Sequence, residues 1–154
     1  LQTDNALEDA LLGMHERLQN LTEVEARRNW AIAGFARFGD VLRRTTDLRL
    51  LCDEIIINLA RYVKANLGAI FLVNDDNPAE PRLEMVSSYA YNKRKFLHRE
   101  FAIGEGLVGQ AALELSTIHI TQIPENYIML SSGLGEAPPK SLVIVPLVSA
   151  ENLY

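Results

Sequence analysis

The hydrophobic period of this chain changes once, at Asn66-Leu67-Gly68, and that change limits the folds open to it. Before it, apolar residues recur at helical spacing. After it, they come in short runs separated by turn residues. Leu48, Leu51, Cys52, Ile55, Leu59, Tyr62 and Val63 lie on one helical face, behind an N-cap signal at Thr45-Thr46-Asp47, which predicts a helix over roughly residues 47 to 65. Ala69 to Val73 then reads as a strand, Asn74 to Pro78 as a turn and Leu83 to Ala90 as a second strand, a hairpin pattern. Phe101 to Ile103 reads as a short strand, Leu107 to Leu115 as a short helix and Thr117 to Gln122 as a fourth strand. A long polar loop, Pro124 to Lys140, precedes a fifth strand at Leu142 to Leu147. Helices first and hairpin-linked strands later predict an α+β fold, an antiparallel sheet flanked by helices.

A different repeat precedes all of this. Leu7, Leu11, Met14, Leu18 and Leu21 alternate at spacings of four and three, the seam of a coiled coil. Glu25 and Arg28 occupy the next two seam positions and interrupt it. A more aromatic apolar set follows: Trp30, Ala31, Phe35, Phe38, Val41 and Leu42. An a/d stripe is narrower than the face a helix presents to its own domain, and three heptads are marginal alone. We therefore expect a long N-terminal helix and a parallel homodimer through Leu7, Leu11, Met14, Leu18 and Leu21, continuing through Trp30, Phe35 or Phe38. The alternatives are an antiparallel pair or a stripe folded onto its own domain. The expected organisation is a coiled-coil or signalling helix over residues 1–29 and a globular domain over 30–149.

The ends are read separately. The chain opens on Leu1 rather than Met, as expected of a fragment. Residues 150–154 read AENLY, the start of a protease recognition sequence used to remove tags. Either they are a tag remnant, or Ser149 to Asn152 is a turn and Leu153-Tyr154 begin another strand. In either case the last core strand is expected to be missing or truncated.

Composition narrows the function. The 154 residues are 48% hydrophobic and 23% charged, with a net charge of −5, which disfavours nucleic acid as the main partner. No apolar run approaches the roughly 20 residues that span a bilayer, and no secretory leader is visible, so no membrane contact is expected. Cys52 is the lone cysteine, and His15, His98 and His119 are scattered, so neither a disulfide framework nor a metal-ligand spacing is present. Cys52 lies on an apolar stripe and is read as a packing thiol. No paired carboxylates or Ser/His/Asp set converge, so no enzyme activity is expected.

The sharpest motif is Gly104-Glu-Gly-Leu-Val-Gly109 between strand and helix. Its glycines suit a tight turn, whether to pack the helix on the sheet or to offer N–H groups to an anion. It lacks the lysine of a P-loop, and no parallel βαβ unit surrounds it.

With the strand before it, Ile103-Gly-Glu-Gly-Leu-Val-Gly-Gln110 resembles the central signature of GAF domains, and Ser141-Leu-Val-Ile-Val-Pro-Leu147 resembles that family's next core strand. The resemblance covers roughly residues 30 to 149. It implies a six-stranded antiparallel sheet flanked by helices, of which five strands are legible. It also implies a cytoplasmic sensory or regulatory domain of a signalling protein such as a sensor histidine kinase, with a covalently linked output domain and a coiled coil leading in. The implied pocket lies between the sheet and the loops after the third and fourth strands, lined by Phe71, Ser88, Tyr89, Gly106, Gln110, Thr121, Tyr127 and Ser132. A small-molecule ligand would contact Gln110, Thr121 and Tyr127. No cofactor is implied by name. Members that attach a bilin need a cysteine near the pocket, and methionine sulfoxide reductases need several, whereas this chain has Cys52 on an early helix. Asn92 to Glu100 is a compressed echo of the cyclic-nucleotide pattern, with Arg99 where it has an acid. The second functional reading is a dimerisation or scaffolding module with a vestigial pocket.

Overall fold

The computed structural model describes residues 2–44, 46–90, 100–123, 130–132, 135–149 and 152–154. They divide into two units, 1–45 and 46–154. The first unit is one helix, α1 (Gln2–Leu42). The two apolar sets at its ends are therefore segments of one continuous helix. No glycine-linked break separates them: Glu23, Glu25, Ala26, Arg27 and Arg28 are good helix formers, and Thr22 returns its hydroxyl to the Leu18 carbonyl at 2.8 Å. Residues 30–42 lie within α1 and within the first unit. Among the described residues no helix is long and apolar enough to cross a membrane.

The second unit opens with α2 (Leu48–Tyr62). The Asp47 carboxylate accepts the Leu50 N–H at 2.9 Å, the expected N-cap. The helix ends at Lys64, whose φ of 57° lets Ala65 N–H reach back to the Ala60 carbonyl at 2.8 Å. The hairpin follows as β1 (Gly68–Asn74) and β2 (Arg82–Tyr89), joined by a turn in which Asn74 and Asn77 side chains accept the Asp76 and Ala79 N–H groups. β3 (Glu100–Ala102) pairs with β2, giving an antiparallel sheet in the order β1-β2-β3.

The rest of the unit comprises α3 (Gly106–Glu114), β4 (Ile118–Ile120), β5 (Leu130–Ser132), β6 (Gly135–Ala137), β7 (Leu142–Ile144), β8 (Val148–Ser149) and β9 (Asn152–Leu153). β4 pairs with β7, β5 with β6 and β8 with β9, each antiparallel. Two differences from the sequence reading have local causes. The loop expected over 124–140 contains the β5–β6 hairpin, whose strands are separated by two residues, the length hairpins favour. The fifth strand stops at Ile144, two residues before Pro146, which has no N–H to give a ladder.

Packing fixes the faces of the main sheet. Gly68 faces α2: a Cβ there would sit 2.8 Å from Ile56 Cδ1. The buried Ser87 hydroxyl, paired across the ladder with Ile70, donates to the Asp53 carboxylate of α2. The register shifts between Ile70 and Phe71, where Val86 is the extra residue of β2. Beyond the shift Phe71 pairs with Met85 and Val73 with Leu83, while Leu83 pairs with Phe101, so these five share the face turned away from α2.

Leu83 is the centre of that face, 3% exposed. Leu83→Ala should cost about 2–5 kcal/mol in chemical denaturation. A loss below about 1 kcal/mol would mean that this face is not a packed core.

Candidate functional site

The glycine turn is built around a close backbone approach. A Cβ on Gly109 would lie 2.4 Å from the Ala102 carbonyl oxygen and 3.0 Å from Gly104 N, so only glycine fits. Gly104 and Gly106 have φ of 86° and 60°, the left-handed region. Three of the turn's N–H groups are bonded within it or to β3. Gly104 N–H donates to the Gly109 carbonyl at 2.8 Å, Glu105 N–H to the Ala102 carbonyl at 3.0 Å and Gly109 N–H to the Glu105 carbonyl at 2.9 Å. The Glu105 carboxylate accepts the Ala102 N–H at 2.8 Å and sets a negative charge beside the α3 N-terminus. Of the two uses open to this motif, the observed bonding serves the first: it docks α3 on β3.

The sheet face away from α2 holds some of the expected pocket residues and not others. Phe71 lies on it, with its ring edge-on to Phe101 at 5.6 Å. Ser88, paired with Ala69, lies on the same face. Tyr89 pairs with Gly68 and lies on the α2 face, since neighbouring strand residues point oppositely. Gly106 approaches the Phe101 ring. The Gln110 amide donates to the Glu114 carboxylate one turn on, along α3 itself. Thr121 is exposed just past β4. Tyr127 and the 92–99 echo lie outside the described residues, and Ser132 is described only as a backbone partner of Gly135. Phe71, Ser88 and Gly106 therefore border one face, whereas Tyr89 does not.

A groove of about 190 Å³ that sequence reasoning missed lies at the β1–β2 turn, among Asn74, Asp76, Asn77, Glu80, Arg82, Glu84 and Glu100. Arg82 and Glu100 approach at 3.9 Å across it, half exposed. Among the described residues no group of three His, Cys, Asp or Glu is arranged to hold a metal ion. A cross-strand pattern of Arg82, Glu84 and Glu100 was the available signal, but it needs the register to be known.

The second candidate surface is the α1 stripe. Leu7, Leu11, Met14, Leu18 and Leu21 are all exposed. Because α1 is continuous, the same frame runs on through Glu25 and Arg28 to Ile32, Phe35, Gly39 and Leu42. Ile32 is 54% exposed and Phe35 is 79% exposed. Of the three aromatics expected to extend the seam, Phe35 lies in the frame. Trp30 and Phe38 lie on neighbouring faces. Ile32 and Leu42 join the frame because α1 continues through the charged positions, which the sequence pattern alone does not show.

The GAF domain family model matches residues 45–154, most of the chain and the whole of the second unit. The chain belongs to the GAF domain family. A search of curated proteins finds no match. Among solved structures, the chain is similar to the GAF domain from a phosphoenolpyruvate-protein phosphotransferase (ptsP) of Coxiella burnetii. The two share 16% identity at a TM-score of 0.60, over 77% of this chain and 69% of that one. At that identity the likeness shows the fold alone. GAF domains are generally regulatory or sensory and often sit in multidomain signalling proteins, and this one carries the family's α+β fold behind a long N-terminal helix.

Cys52 of this GAF domain is 4% exposed on the sheet-facing side of α2. Burial pushes its thiol above the ordinary value, and the Asp53 carboxylate adds to the shift. The folded thiol therefore resists ionisation, and its contribution to stability is lost as pH rises from the unfolded thiol's value towards the folded one. Alkylation of Cys52 by iodoacetamide at pH 8 should be at least about tenfold slower in the native than in the unfolded chain. Equal rates would mean that the thiol is accessible.

Gly109→Ala should cost about 1–3 kcal/mol, because the clash is with backbone rather than with a movable side chain. A neutral result by thermal denaturation would mean that the turn relaxes freely and does not fix α3.

Proposed function

We propose that this GAF domain is a non-catalytic regulatory module of a larger cytoplasmic signal-transduction protein, and that it acts as a homodimer through α1. The observation that carries this reading is the exposed stripe on α1, which leads directly into the domain. The stripe leaves Leu7, Leu11, Met14, Leu18, Leu21, Ile32, Phe35 and Leu42 exposed, and a partner helix would supply the burial it lacks. Each leucine or aromatic that the pairing buries is worth roughly 1.5–3 kcal/mol, enough to couple the domain's state to the helix pair. A small molecule bound on the sheet face of Phe71 and Ser88 is the input that such a module would sense, and the linked output domain is what the helices would drive.

A second reading is favoured by the glycine turn, whose Gly104, Glu105 and Gly109 N–H groups are bonded internally, and by the Phe71–Phe101 ring pair on the sheet face. In that reading the domain dimerises and scaffolds, with a ligand-free pocket. A ligand of the native state raises the melting temperature by mass action, so a thermal-shift screen separates the two.

The common element is the dimer. Leu11→Asp/Leu18→Asp places two charges in the stripe and should turn a dimer into a monomer by light scattering, with the domain's melting temperature little changed. A variant that stays dimeric removes the stripe as the interface.

A further inference from the structure

We propose that the partner of the α1 stripe is a second copy of α1 running antiparallel, in a register that sets Glu25 of each chain against Arg28 of the other. This rests on the reading of α1 as a dimer helix and goes beyond it by fixing orientation and register. The continuous helix carries one heptad frame from Leu7 to Leu42, with Leu11, Leu18, Glu25, Ile32 and Gly39 at the a positions and Leu7, Met14, Leu21, Arg28, Phe35 and Leu42 at the d positions. The frame contains one charged pair of positions, and these carry opposite signs.

The two orientations treat that pair differently. A parallel homodimer stacks each position on itself, so Glu25 meets Glu25 and Arg28 meets Arg28. Gly39 also meets Gly39, leaving a gap, since no other heavy atom lies within 4 Å of the Cβ position there. An antiparallel homodimer packs a positions against d positions. Setting Glu25 against Arg28 fixes every other layer: Leu21 on Ile32, Leu18 on Phe35, Met14 on Gly39 and Leu11 on Leu42. From Leu11 to Leu42 each apolar residue meets an apolar partner, the long flexible methionine meets the glycine, and Leu7 lies beyond the paired layers. Glu25 and Arg28 flank the two-fold axis, so the ion pair forms twice, once on each side. The arrangement is isologous and closes at two copies. Like charges directly apposed are disfavoured, so the pair also acts against the parallel alternative.

The residues this pairing covers are those left exposed in the single chain: Leu11, Leu18, Leu21, Ile32, Phe35 and Leu42 are each more than half exposed. Leu42 ends the helix, and the second unit begins shortly after it. With Leu11 of one copy against Leu42 of the other, the N-terminal turns of each helix lie beside the C-terminal turn of the partner's α1.

Cysteine cross-linking of the full chain tests orientation directly. In a Cys52→Ala background, one tagged chain carries Leu21→Cys and a second, differently tagged chain carries Ile32→Cys. Antiparallel pairing predicts a covalent heterodimer when the two are mixed and oxidised, and no covalent dimer from either alone. Two copies of Leu21 would lie about 16 Å apart along the pair, beyond disulfide reach. Light scattering on the Cys52→Ala chain reports the dimer independently. A monomer would overturn the dimer reading and this proposal with it. A dimer in which Leu21→Cys links to itself would overturn the orientation and leave the dimer standing. A dimer in which neither the mixture nor the single variants link would overturn the seam as the interface. A charge exchange supports the register: Glu25→Arg alone should weaken the dimer, and Glu25→Arg/Arg28→Glu should restore it. Failure of the double variant to recover counts against the Glu25–Arg28 layer.

Discussion

An apolar stripe runs exposed along the 41-residue α1, while Val41, on another face of the same helix, is buried. Helix propensity contributes tenths of a kcal/mol per residue, and nucleation opposes it, so sustained helicity on this scale needs side-chain burial. The stripe from Leu7 to Leu42 supplies the surface for that burial. What remains is a partner with a matching seven-residue repeat, and a second copy of the same helix meets that requirement. In the proposed dimer, the charged interruption at Glu25 and Arg28 is a specificity element: it costs hydrophobic area and selects one arrangement among several with similar apolar content.

The GAF unit is organised by a different constraint, the approach of Gly109 to the Ala102 carbonyl. That contact lets α3 begin directly at the end of β3. It brings the Phe101 ring onto Phe71 and closes the sheet face away from α2. On the opposite face Ser87 and Asp53 tie β2 to α2, and Gly68 lets Ile56 come close. The two faces thus have separate roles. One holds the helix that follows α1 in sequence, and the other carries the Phe71–Phe101 ring pair and Leu83.

The elements that were legible in the sequence are those with strong local signals. Asp47 as an N-cap, the asparagine turn between β1 and β2, and the glycines before α3 each fix a boundary through a backbone requirement that one residue type meets. The fold family followed from two such motifs in order. The faces were less legible, because a bulge at Val86 shifts the alternation in β2. Ser88 and Tyr89 look equivalent in sequence, yet register sends them to opposite sides. The acidic groove at the β1–β2 turn escaped notice for the same reason, since it joins residues from two strands and a turn. In α1 the failure was of another kind. Two charges were read as the end of a repeat, but a helix that continues through them keeps its frame, and Ile32, Phe35 and Leu42 return to it.

The central claim is that α1 is held helical by a second chain. Amide hydrogen exchange in α1, followed from sub-micromolar to tens of micromolar protein, measures this directly. If the helix depends on pairing, protection of residues 7–42 rises with concentration while that of α2 and the β1-β2-β3 sheet stays constant. Protection of α1 that is independent of concentration, in a chain that remains monomeric, would contradict the account.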